Sequence, residues 1–290
     1  MYLGAHFVSD GKILSCIEAH CKSKSKQLTK LLNFFSKNRD APYSVKKKVV
    51  DAAFSSSLLY SCESWLNSSC DKVSTLYISA IKSLLNVRTT TANALCYVEA
   101  DYAPVKYVVK EYQKRYFTKI LNRDVTLEDP LKFVLDLHRN ASTPFAHYLS
   151  SLDTPSSFVT QGNDHIKQSV RQSQRSKFSM YVSLNPDLSQ HPVYCETNVP
   201  EYQRVIFTRL RLSAHNLKVE TGRWARIPRE ERLCSCGTGR VQTEEHVLID
   251  CPLSEPLRLQ YPDIVFQIPT LFESPSLAVT SYIYNCLNIY

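Results

Sequence analysis

Near the end of the chain stands Cys234-Ser-Cys236, then nine residues, His246, four residues and Cys251, with Pro252 next. Three thiols and one imidazole are a donor set that grips a single zinc ion tetrahedrally. Gly237 and Gly239 follow the paired cysteines, where a tight turn needs positive φ without steric cost. Thr243 can cap a short helix that opens with Glu244 and Glu245 and carries His246. His246 and Cys251 are too far round a regular helix to share a face. Cys251 therefore belongs just past the helix end that Pro252 enforces. The single residue between Cys234 and Cys236 is narrower than the usual spacing of about two to four. The alternatives are a chance gathering of the four residues, or a disulfide from Cys234 or Cys236 to Cys251.

The redox setting bears on that choice. The remaining cysteines, Cys16, Cys21, Cys62, Cys70, Cys96, Cys195 and Cys286, follow no repeating interval, which favours reduced thiols over a disulfide framework. The N-terminus shows neither a basic segment leading into an apolar stretch nor a small-residue cleavage site. No apolar run approaches the ~18 residues needed to cross a bilayer. The expectation is a soluble chain, nuclear or cytoplasmic, with no membrane partner and no small-molecule substrate.

Charge is unevenly placed. Lys22 to Lys48 holds nine bases against one acid, Asp40; Arg204 to Arg232 holds eight against Glu220, Glu230 and Glu231. Those stretches carry +8 and +5, so a chain of net +8 is at −5 elsewhere. Two basic surfaces on an acidic body suit a polyanion, RNA or DNA, with Lys22, Lys24, Lys26, Lys46, Lys47, Lys48, Arg204, Arg209, Arg211, Arg223 and Arg226 as candidate contacts. The competing account is lysines solvating helix faces.

The elements that would position these groups read as mainly helical, because six glycines are few for the turns of a β-rich chain. Residues 2–7 look like a short strand and Ser9-Asp10-Gly11-Lys12 a turn. Apolar residues at helical spacing predict helices over 13–35, from Pro42 (capped by Asp40, with Val45, Val49, Ala53, Phe54 and Leu58 buried), from Asp71 to about Leu85, and over 104–121. A short helix is expected over 133–138. Between 140 and 200 Ser, Thr, Gln, Asn and Pro dominate, predicting a polar linker with transient helix. From Glu201 a helix carries Arg204, Arg209, Arg211 and His215 outward and leads to Arg223, Trp224 and Arg226 beside the cysteines. The arrangement expected is 1–11 as strand and turn, 12–139 as a helical bundle, 140–200 as linker, and 201–290 as basic helix plus zinc unit.

The order Tyr2-Leu3-Gly4, basic helix, Tyr60-Ser-Cys62-Glu63-Ser-Trp65, Ile81 to Val87, Arg211-Leu212 and Thr221-Gly222-Arg223-Trp224 into the Cys-Cys-His-Cys cluster resembles the C-terminal part of non-LTR, jockey-like retrotransposon reverse transcriptases. The resemblance covers nearly the whole chain and is most specific over 209–253. It implies that 1–11 is a remnant palm strand and turn, that 12–123 belongs to a thumb-like domain gripping a primer-template duplex, and that Cys234, Cys236, His246 and Cys251 are metal ligands.

Polymerase chemistry of that kind needs paired carboxylates holding two magnesium ions. No Asp-Asp pair occurs; Glu99-Ala-Asp101 and Asp250 are the nearest candidates, and Pro262-Asp263 is an ordinary turn. The expectation is a nucleic-acid-binding fragment of an RNA-directed DNA polymerase without catalytic residues. A zinc-stabilised structural or protein-interaction module, and a piece of a longer, active reverse transcriptase, stand beside it.

Overall fold

The computed structural model describes residues 5–65, 70–122, 130, 133, 136, 144–273 and 276–290. The chain is mainly helical, and no strand is present among the described residues. The expected N-terminal strand over 2–7 is therefore not seen in its described part; an isolated bridge joins Leu233 to Val241. The turn at 9–12 forms as read. Gly11 takes φ 66°, and Asp10 accepts from the Lys12 N–H at 2.9 Å and the Ser15 hydroxyl at 2.7 Å, satisfying donors at the start of the next helix.

That helix, α1 (Ile13–Lys37), buries Ile17, Cys21, Leu31 and Phe35. Helix α2 (Tyr43–Val49) starts after Pro42 without a side-chain cap from Asp40, and it runs on through a π-helical stretch, Val50–Ser55, into Ser56–Leu58. The wider π turn shifts the phase. Val50, Phe54 and Leu58 are buried, whereas Val45 and Ala53, expected in the core, face solvent. Helix α3 (Asp71–Leu84) packs on α1 through Val73, Tyr77, Ala80, Ile81 and Leu84, as its spacing predicts. Helix α4 (Asn93–Ala100) has no amphipathic period to reveal it, because Leu95 to Ala100 are buried all round. Helix α5 (Val105–Leu121) follows. The helix expected over 133–138 lies outside the described residues except at 133 and 136.

The stretch read as a linker holds three helices, α6 (Pro144–Leu152), α7 (Phe158–Gln172) and α8 (Ser176–Leu184). Helix α7 docks through few positions, Phe158, Gly162 and Val170, so its polar remainder hides the pattern. Ser157 caps it by accepting from the Val159 N–H, and Glu111 of α5 accepts from the Phe158 N–H at 2.8 Å. At Gly162 the helix touches α5 so closely that a Cβ would sit 2.7 Å from the Tyr107 ring.

Helices α9 (Glu201–Arg211), α10 (Lys218–Trp224), α11 (Glu255–Arg258), α12 (Ile268–Glu273) and α13 (Leu277–Leu287) complete the chain. One apolar cluster runs from Ile17 to Cys286 and includes residues of α8, α9 and α13, while Leu217, Val219 and Val247 form a small cluster of their own near the cysteines. A buried polar knot links α4 to α8 and α9. Glu99 of α4 is fully buried and receives Arg211 of α9 through Nε at 2.8 Å and a terminal nitrogen at 3.1 Å. Tyr181 of α8 and the Tyr194 hydroxyl donate to it at 2.7 and 2.9 Å. Burial alone would raise the Glu99 pKa, but the Arg211 guanidinium and these hydrogen bonds outweigh it and hold the carboxyl below its ordinary value. No helix among the described residues is long and apolar enough to cross a membrane.

Candidate metal centre

The cysteine turn is closed by backbone bonds, Cys234 N–H to Arg240 O at 2.8 Å and Gln242 N–H to Arg232 O at 2.9 Å. Gly237 and Gly239 take φ 77° and 72° in open space, so their role is conformational freedom alone. The short Cys-Ser-Cys interval thus needs no regular knuckle turn. A narrow hairpin presents both sulfurs to the same side.

The histidine arm is a helical turn beginning at Glu244 that becomes a π turn over His246–Asp250. Thr243 caps it, its hydroxyl accepting from the His246 N–H at 3.1 Å. The Cys251 N–H bonds the His246 carbonyl five residues back at 2.7 Å, and Cys251 is itself extended (φ −65°, ψ 129°). Widening the last turn brings residues five apart onto one side, and leaving the helix at Cys251 aims its thiol back at the ring.

The four donors converge. Their ligand atoms, on Cys234, Cys236, His246 and Cys251, all lie within 4.8 Å of one another. The Cys234 and Cys251 sulfurs are 3.8 Å apart, and Cys236 Sγ is 3.3 Å from His246 Nε2. A tetrahedron with metal–sulfur bonds of about 2.3 Å has sulfurs about 3.8 Å apart, so the donor spacing fits a bound ion. It does not fit a disulfide, whose sulfurs are about 2.05 Å apart, and all ten cysteines are free. The cluster can hold a metal ion. Two thiolates at 3.8 Å would repel by about 4 kcal/mol at an effective dielectric near 20, a cost a cation removes.

The surroundings prepare the donors unequally. The Thr238 hydroxyl, 3.0 Å away, is the main cause that pushes the Cys236 thiol down to about 6. Burial raises Cys234. Tyr290 donates its hydroxyl to Cys251 Sγ at 2.8 Å, and the Tyr282 hydroxyl bonds the Leu248 carbonyl, so α13 and the end of the chain clamp the histidine arm. His246 Nδ1 is buried with no partner, which leaves Nε2 as the nitrogen facing the sulfurs. Tyr290 escaped the sequence reading, because it lies 39 residues beyond the cysteine it reaches and no local pattern links the two.

The candidate polyanion contacts scatter. Arg204 and Arg211, expected to point outward, are buried: Arg204 Nε bonds Glu201 Oε2 at 2.7 Å, and Arg211 is committed to Glu99. Lys46 is buried too, its Nζ 2.8 Å from Glu201 Oε1. A charge removed from water needs a buried partner, and these three have spent theirs inside. His215, also expected outward, is buried and bonds Glu244 Oε1 at 2.7 Å. Arg209 is half-buried on Asn86, with bonds at 2.9 Å to its carbonyl and side-chain oxygens. Arg223 pairs with Glu220 at 3.1 Å. Lys24 donates to Ser57 at 2.7 Å, and Lys47 lies 3.8 Å over the Tyr102 ring. Lys22, Lys26, Lys48 and Arg226 are exposed, as are Arg229 and Trp224 beside the cysteine turn. Glu99, the carboxylate nearest to a catalytic candidate, is consumed by Arg211.

No known protein family, characterised protein or solved structure matches this chain.

Proposed function

We propose that Cys234, Cys236, His246 and Cys251 hold one zinc ion and that the chain binds RNA or DNA, as a C-terminal segment of a retrotransposon RNA-directed DNA polymerase lacking the palm carboxylates. It would act inside the cell, in the nucleus or cytoplasm. The observation that carries the zinc reading is the convergence of four donors within 4.8 Å. Three sulfurs with one nitrogen in a closed set of four match structural zinc better than a catalytic site, which keeps an open position. Bound there, the ion would tie the cysteine hairpin to the histidine arm, a few residues along the chain from the exposed Arg226 and Arg229. Exposed arginines can grip phosphate oxygens. Lys22 and Lys26 on α1 and Lys48 on α2 are further exposed bases.

Metal content of the purified chain by mass spectrometry, with and without chelator, tests the first half: one zinc per chain is expected, and loss of the ion should unfold the residues from 233 to 251. Full helicity and an unchanged melting profile in chelator would refute it. Anisotropy of a labelled 20-nucleotide RNA and DNA across a salt series tests the second. Affinity should fall steeply with salt, and Arg226→Glu with Arg229→Glu should weaken it; indifference to both would refute nucleic-acid binding.

Burial of Arg204, Arg211 and Lys46 in ion pairs favours a second reading, in which the metal only braces a protein-interaction module. That reading expects metal-dependent folding and no nucleic-acid affinity, so the same two measurements separate them.

A further inference from the structure

Between α1 and the α2 segment lies a groove of about 280 Å³, walled by Leu31 and Phe34 on one side and Val49 and Phe54 on the other, with Gln27 and Lys30 at its edge. We propose that it is a docking site for an acidic amphipathic helix of a partner protein.

The walls supply the apolar half of such a contact. On α1 the lining residues 27, 30, 31 and 34 share one helical face. On the other wall Val49 and Ala53 line the groove with Ala53 exposed, and Val45, one turn before Val49, is 45 % exposed. The two walls run about 10 to 12 Å, two turns of a guest helix, so two or three anchors spaced i, i+4, i+7 would fill them.

The polar features specify the guest. Lys26, Lys30 and Lys37, all exposed, recur at spacings of four and seven along α1, and Lys48 is exposed on α2. Few acids answer them. Glu18, the one acid in α1, pairs with Lys72 at 2.6 Å; Asp51 accepts from the Tyr102 hydroxyl at 2.6 Å; Asp40 sits in the turn between the helices. An apolar floor with Lys30 in its lining and further exposed lysines along the same helices complements a helix bearing leucine-type anchors and glutamates. A phosphodiester backbone would answer the lysines, yet it brings nothing to the floor.

The test uses the full chain and a fluorescein-labelled 16-residue peptide with leucines at i, i+4 and i+7 in a glutamate and alanine background. Its partners are a scrambled peptide of the same composition and a single-stranded 16-nucleotide DNA. We expect saturable micromolar binding of the patterned peptide, at least tenfold tighter than the scramble. Ala53→Arg, at an exposed position where the fold tolerates a long side chain, should weaken it tenfold or more, and Lys26→Glu with Lys30→Glu at least fivefold, with unchanged melting temperatures. The Ala53→Arg variant should keep whatever affinity for nucleic acid the wild type has, so this proposal and nucleic-acid binding fail separately. Equal binding of the scramble, displacement of the peptide by the DNA, no effect of Ala53→Arg, or refusal of every peptide by a chain that light scattering shows to be dimeric or monomeric would each overturn it.

Discussion

Replacing Glu99 by Gln should unfold the whole chain more easily, and should do so equally at both ends. Glu99 and Arg211 are both fully buried, at 2.8 Å. Their attraction at an effective dielectric near 20 is about 6 kcal/mol, most of which offsets the desolvation of the two ions. Glutamine keeps the shape but leaves Arg211 an uncompensated buried charge, and one of its faces now presents N–H groups to donors. Breaking a pair in this way costs about 3 to 5 kcal/mol, a large part of the 5 to 15 kcal/mol that about defines a domain's stability. With a urea slope of about 3 kcal/mol/M, the midpoint should drop by about 1 to 1.7 M. Adding Arg211→Met should restore part of the loss, since the charge that Glu99→Gln strands is then gone. The chain has two tryptophans, Trp65 in the first half and Trp224 in the second, so Trp224→Phe and Trp65→Phe variants give one fluorescent reporter each. If a single core spans the chain, both reporters move together. A shift seen by Trp224 alone, or two transitions in the parent, would show that the halves fold separately and that the knot does not couple them. The acid side adds a sign: Glu99 is held below its ordinary pKa, so its contribution is present above about pH 4.3 and disappears as pH falls through the folded value. The glutamine variant should lose that acid dependence.

Gly162→Ala should destabilise, although alanine in a helix ordinarily gains up to about 1 kcal/mol, because the new methyl would lie 2.7 Å from Tyr107 ring carbons; a net loss of about 1 to 2 kcal/mol in denaturant is expected, and a more stable variant would refute the close packing of α5 on α7. His191 is held neutral, pushed down to about 4 by burial and then by the Arg211 charge, with Nε2–H donating to Phe272 O at 2.7 Å and Nδ1 accepting from the Val193 N–H. Its share of stability is therefore full above about pH 6.5 and falls as pH drops towards 4; His191→Gln should flatten the melting temperature between pH 7 and 4.5, and an unchanged slope would count against it. Tyr290→Phe removes the hydroxyl that reaches Cys251 Sγ, so metal affinity in a chelator competition should fall by about tenfold, and equal affinity would mean that the phenol does not support the ligand.

What could be seen in the sequence follows from which physical signals are local. Helix α3 announces itself because one face is buried and the other wet, giving the three-four repeat from Val73 to Leu85. Helix α4 does not, since it is buried on every side, and helix α7 does not, because two apolar anchors and one glycine are enough to dock it. Length of apolar pattern therefore underestimates helix content wherever docking relies on a close approach such as Gly162 on Tyr107. The metal cluster lies at the other extreme. Its donors fall within eighteen residues, its glycines are beside them and Thr243 is in capping position, so chain-local chemistry carried nearly all of it. Only the device that reconciles His246 with Cys251 was missed, because a π turn has no residue signature at this length.

Basic residues are where local reading fails, and helix α9 shows why. Its polar positions Glu201, Arg204, Thr208 and Arg211 fall three, four and three apart, on one face, which in isolation resembles a solvated edge or a phosphate-gripping strip. All four are buried. The helix is enclosed on both sides, by an apolar face carrying Val205 and Leu210 and by an ionic face whose partners lie up to 155 residues away. One local sign distinguishes the two cases: Glu201 precedes Arg204 by one turn and is itself unsolvated, whereas no acid stands one turn before Arg226, which the structure leaves exposed. A charge can leave water only with its counter-charge. A basic stripe interleaved with acids at helical spacing is therefore a candidate for the core, and bases without such partners, Arg226 and Arg229 after α10 and Lys22, Lys26 and Lys30 along α1, are the ones that stay in water.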